Sequence, residues 1–172
     1  MIVYCLHNSN GEAALQHELI RQIEVNLYAD GSGYDFKVRD ALHYHVYTLE
    51  PLITAAIVIY RATGKDFFNY VSTTGSSIKK AADFFIPFVT GEKTHAEFVN
   101  SQIAFDKARS KNGEKTFQTG ALFNARQGLH VMALAAYFNT AYANILQKAD
   151  STSDGPLDWQ LVLNRVRQPF HK

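Results

Sequence analysis

Apolar side chains recur at helical spacing in one segment of this chain after another, and the segments are cut apart by Gly, Pro and Asn. Leu15, Leu19, Ile23 and Leu27 form one stripe, and Asp30-Gly31-Ser32-Gly33 breaks the chain behind it. A second helix is expected from about residue 40 to 62, with Pro51 as a kink or a fresh first turn and Gly64 as its stop. Ser76 or Ser77 is placed to cap a third helix whose Ile78, Ala81, Ala82, Phe85 and Ile86 face inward, and Pro87 should end or bend it. Thr94 with Glu97 three residues on has the pattern of a capping box, which predicts a fourth helix over 94–110, stopped by Asn112-Gly113. Residues 124–148 give the longest helical segment, broken by Asp154-Gly155-Pro156, and a short last helix is expected over 157–166. Sustained period-2 alternation is absent. The reading is all-α, one domain over 1–172, built of antiparallel helical hairpins joined by short connections.

Composition narrows the function. Seventeen Lys and Arg against sixteen Asp and Glu leave a formal charge of +1, which argues against a large nucleic-acid footprint. No run of about 18 apolar residues exists to span a membrane. The N-terminus lacks the basic start and apolar run of a signal peptide. The one cysteine, Cys5, excludes an internal disulfide and reads as an ordinary thiol.

The densest chemical signal is residues 34–47, which place Lys37, Arg39, Asp40, His43, Tyr44, His45 and Tyr47 at the entry to a helix. If residues 40–50 are helical, Lys37, Asp40 and Tyr44 share one side, and His43 and Tyr47 an adjacent one. A cation beside a tyrosine favours the phenolate, and the same cation can bind a substrate carboxylate. The bland alternative is that these rings are amphipathic core residues with satisfied polar tips. His43 and His45 lack the i, i+4 spacing of a helical zinc pair, so no metal is expected. Elsewhere, His95 follows Gly91-Glu92-Lys93 and is a candidate for the same cleft. Asn100 and Arg109 are ligand contacts or solvated helix positions, Lys79-Lys80 an exposed face, and Trp159 a packing anchor or a ligand-stacking ring.

Asp30-Gly31-Ser32, Asp35-Phe36-Lys37-Val38-Arg39-Asp40-Ala41-Leu42-His43-Tyr44-His45 and Tyr47-Thr-Leu-Glu-Pro-Leu52 resemble, in that order, the catalytic stretch of the alginate lyase domain family. Gly75-Ser-Ser-Ile, Phe84-Phe-Ile-Pro-Phe88, Gly91-Glu-Lys-Thr-His95 and Glu97-Phe-Val-Asn-Ser101 extend the likeness, which runs from about residue 21 to 109. The resemblance implies an incomplete (α/α) toroid that cleaves a uronate-containing, alginate-like polysaccharide by β-elimination, without metal or organic cofactor. It implies Tyr44 as base at the sugar C5 and acid at the leaving O4. Lys37 or Arg39 would be the carboxylate partner, and His43, His45, Tyr47 and His95 the substrate contacts. Periplasmic or exported localisation is also implied. Two departures stand out. Lys37 occupies a position where the family usually has Arg, and Lys is a point charge, not a bidentate fork. The family's upstream Asn–His stretch has no counterpart here, which gives the expectation of a chain that starts after it. A partial ring would expose a helix face suited to a second copy or subunit. A catalytically inactive carbohydrate-binding or scaffold remnant of the same fold is the alternative, and an unrelated helical interaction module a third.

Overall fold

The computed structural model describes residues 9–149 and 158–166. Among these the chain is helical, with only two isolated bridges, Leu27 with Gly33 and Ala96 with Leu122. The helices are α1 (Ser9–Asn26), α2 (Tyr34–Arg39), α3 (Leu42–Thr63), α4 (Ile78–Val89), α5 (Ala104–Lys111), α6 (Leu129–Ala135), α7 (Ala141–Ala149) and α8 (Trp159–Leu163). Short 3-10 turns occupy Lys115–Phe117 and Ala125–Gly128. The expected all-α class is what the chain forms. Cys5 and Asp154-Gly155-Pro156 lie outside the described residues.

The long α3 is the centre of the fold, packing on α1, α2, α4 and α6. Its Leu42, Leu49, Ile53 and Ala56 are fully buried. Each large aliphatic side chain there contributes about 1.5–3 kcal/mol through removal from water. Pro51 sits inside this continuous helix and does not start a new turn, and Gly64 caps its end at φ 76°. Ser77 caps α4 as expected, accepting from Lys80 N at 3.0 Å. Pro87 does not end that helix, which runs on to Val89. Gly31 is required by space: it stands at φ 85°, and a Cβ there would meet Lys80 O and lie 2.8 Å from Phe84 Cβ. The breaker after α1 is thus also where the chain crosses closely over α4.

The helix expected over 40–62 forms as α3 from Leu42, set off from the short α2 by Asp40 in a left-handed conformation (φ 52°). Two expected helices are corrected. The 94–110 helix shrinks to α5, and Thr94 and Glu97 form no capping box. Phe98 is left-handed at φ 63°, and Glu97 turns away to another helix. The 124–148 helix is split into α6 and α7 by a break at 136–140, where Asn139 Oδ1 accepts from Ala141 N at 2.9 Å. Side-chain acceptors that offer backbone N–H groups a partner outside the helix explain such interruptions. Trp159 is 71% exposed, so it is no packing anchor.

Candidate active site

The left-handed Asp40 creates the site by turning the chain sharply between α2 and α3. A non-glycine residue in that conformation needs support. Segment 95–101 supplies it. Asp40 O accepts from Phe98 N at 2.7 Å and lies 3.0 Å from His95 Nε2. Asp40 Oδ2 accepts from Asn100 N at 2.7 Å and Nδ2 at 3.1 Å. Glu97 then caps α3: its carboxylate accepts from Leu42 N at 2.6 Å and His43 N at 3.4 Å, and meets His43 Nδ1 at 2.6 Å. An anion there answers the orphan N–H groups and the positive end of the helix.

With Asp40 out of the helix, Lys37 and Tyr44 do not share a side. The cation that reaches Tyr44 is Arg39. Its Nη1 donates to Tyr44 Oη at 3.2 Å, and its guanidinium carbon stands 4.3 Å from the ring centroid. The same Nη1 donates to Asp106 Oδ1 at 2.6 Å, and Asp106, fully buried, also accepts from Ser101 Oγ at 2.8 Å. Lys37 instead donates to Asp30 at 3.0 Å and covers the Tyr28 ring at 4.1 Å. Asp30 is held down to about 2, first by its hydrogen bonds from Ser32 and less by Lys37. Burial raises the Tyr44 phenol above its ordinary value despite the Arg39 charge, which Asp106 and Asp35 partly offset. The expected shift towards phenolate is therefore corrected: desolvation wins over the charges of Arg39 and Arg109.

A cleft of about 680 Å³ opens beside this turn. His43, Tyr47, Glu50 and Glu97 line one part of it, and Arg109, Lys115, Phe117, Asn124 and Gln127 line others. Arg109 lies flat on Phe117, 3.0 Å from its centroid, with Nε donating to Glu114 at 2.8 Å. Lys115 forms no ion pair among the described residues. The cleft thus offers two cations, two amides and aromatic faces beside two carboxylates, of which Glu97 is taken up by the start of α3 and His43; the cations, amides and rings suit an anionic, hydroxyl-rich ligand.

Of the residues singled out from sequence, His43, Tyr47 and Arg109 line the cleft, and Arg39 and Tyr44 pair with each other beside it. His45 does neither. It is fully buried, with Nε2 3.0 Å from Ala81 O and its ring among Phe36, Phe84 and Phe85; burial lowers its pKa to about 4. His95 packs on Phe36 and holds Asp40, so it serves the turn and not the cleft. Glu97 and Asp106 carried no usable signal, since their partners lie 54 and 67 residues away. Arg109 was weighed as a sugar contact or a solvated position, and Lys115 had no local pattern. Among the described residues no group of three or more His, Cys, Asp or Glu is gathered to hold a metal.

The family model described as Alginate lyase matches residues 7–95, just over half of the chain. That span contains α1 to α4 and with them Arg39, His43, Tyr44 and Tyr47. No curated sequence and no solved structure gives a significant match. The chain belongs to the alginate lyase family, which places it among the polysaccharide lyases. No helix among the described residues is long and apolar enough to cross a membrane.

Proposed function

We propose that this chain cleaves a uronate-containing, alginate-like polysaccharide by β-elimination, with Tyr44 as a proton-transfer group. One observation carries the reading: the Tyr44 hydroxyl stands 3.2 Å from Arg39 Nη1, next to a cleft that holds Arg109 and Lys115. In the elimination the C5 proton leaves, C4–O4 breaks, and O4 takes a proton. A C5 proton is weakly acidic while the neighbouring carboxylate is fully charged. Cations and donors aimed at that carboxylate stabilise the enolate-like charge as it develops. Lys115 is the first carboxylate partner in this reading, with Arg109, whose Glu114 partner is itself exposed, beside it; the charge of Arg39 is opposed by the buried Asp106. Tyr47, 62% exposed at the cleft, offers a face to a sugar ring. No metal or organic cofactor enters these steps. The fold proposed around the site is a single helical domain, part of an (α/α) toroid, acting in the periplasm or outside the cell.

A second reading has its own support. A raised Tyr44 and a guanidinium engaged by a buried carboxylate also suit a glycan-binding relative without turnover. Incubating the protein with alginate and other polyuronates separates the two. The lyase reading expects ultraviolet absorbance from C4–C5 unsaturated ends. Retention on immobilised alginate without any such absorbance would select the binding reading instead.

A further inference from the structure

His43 is held as a working imidazole is held, and the reading above leaves it unused. An ionised carboxylate has acceptor sites only. Glu97 at 2.6 Å therefore fixes the proton of the neutral ring on Nδ1 and leaves the lone pair on Nε2. That Nε2 is buried and has no hydrogen-bond partner among the described residues. The residue is 8% exposed and lines the cleft. His45 is the control. Its Nδ1 is also unpartnered, but a Cβ on Gly33 would stand 2.9 Å from it, so backbone closes that side and no ligand can enter. At His43 the surrounding groups are side chains: Tyr44 and Phe98, with ring centroids 4.2 and 5.1 Å away, and Tyr47 and Phe117, each 5.6 Å away and edge-on. Phe98 is buried and Tyr47 is exposed, so a sugar needs Tyr47 to turn aside before it can reach Nε2.

We propose that His43 Nε2 takes the C5 proton of the bound uronate, with Glu97 as its positioning residue; this rests on the lyase reading of the cleft. The C5–H bond breaks and its proton goes to Nε2. The electron pair passes through the carboxylate-stabilised enolate into the C4–C5 double bond. C4–O4 breaks, and the Tyr44 hydroxyl protonates O4. The proton on His43 then returns through solvent to the Tyr44 oxygen, so nothing is consumed. Centroids of the two rings are 4.2 Å apart, so the two groups stand side by side at the start of α3.

The test uses the intact chain and alginate. His43→Gln is expected to lower kcat by about 10²- to 10⁴-fold, the range of a lost general base, with KM little changed. Glu97→Gln is expected to lower kcat while KM holds, and to give mixed imidazole tautomers by nitrogen-15 NMR. Wild-type protein should show the Nδ1-protonated tautomer, with the Nε2 resonance moving on addition of an alginate tetrasaccharide. A folded His43→Gln protein with wild-type kcat overturns this assignment and leaves the lyase reading standing. Should that variant not fold, an Nε2-protonated wild-type ring, or a bound tetrasaccharide that leaves both ring nitrogens unmoved, overturns it equally. Wild-type protein that makes no unsaturated ends overturns the lyase reading itself.

Discussion

Two histidines two residues apart on α3 show how one helix serves two purposes. His43 faces the cleft, bonded to a carboxylate brought from residue 97 and covered by movable rings. His45 faces the core, bonded to a helix carbonyl and enclosed by three phenylalanines and the backbone of Gly33. Residue type is the same, and environment decides the role. The difference is one of partners and cover: His43 meets a carboxylate and borders the cleft, while burial beside a carbonyl keeps His45 neutral.

The largest effect should fall on the cleft side. Tyr44→Phe keeps the ring and removes the hydroxyl, and is expected to cost about 10²- to 10⁴-fold in kcat with little change in folding. Next is Arg39→Ala, which strands the buried Asp106. Breaking a buried pair costs about 3–5 kcal/mol, and the low end applies because Arg39 is 24% exposed; urea unfolding measures it. On the core side, His45 makes stability depend on pH. Its folded pKa of about 4 lies below the 6.5 of the unfolded ring, so the unfolded chain binds more protons between these values. Stability present above about pH 6.5 is lost as pH falls towards 4, by about 3 kcal/mol in all. His45→Gln should flatten that slope in thermal melts, and an unchanged slope would mean that other groups carry it. The smallest effect belongs to Lys37→Ala. Its pair with Asp30 is exposed, so stability should change by no more than about 0.5 kcal/mol and activity hardly at all. A large loss of activity there would return the carboxylate role to Lys37.

Local rules made much of the fold legible. The stripe of α1, the Ser77 cap and the Gly64 stop depend on residues within one turn of each other, and these stand as read. What local rules missed were competitions with distant groups. Thr94-x-x-Glu97 has the spacing of a capping box, yet Glu97 caps α3 instead, because Leu42 and His43 offer it three donors. Asp40 looked helical until the hydrogen bonds from residues 95–100 held it left-handed. That single residue moved Lys37 away from Tyr44 and left Arg39 there. Tyr44, Arg39, His43 and Tyr47 were legible because they lie together in sequence. Asp106 and Lys115 were not, and Arg109 was named without being tied to them, because only the folded chain brings these residues near.

The turn between α2 and α3 sets the Tyr44 phenol and the Arg39 guanidinium beside the cleft, and the proposed cutting of an acidic glycan depends on that phenol. Unsaturated-end formation from alginate, followed with wild-type, Tyr44→Phe and His45→Gln proteins side by side, tests this dependence. Turnover is expected from the wild type and the His45 variant at neutral pH, with near-complete loss in the Tyr44 variant. Equal rates for wild type and Tyr44→Phe would rule the dependence out.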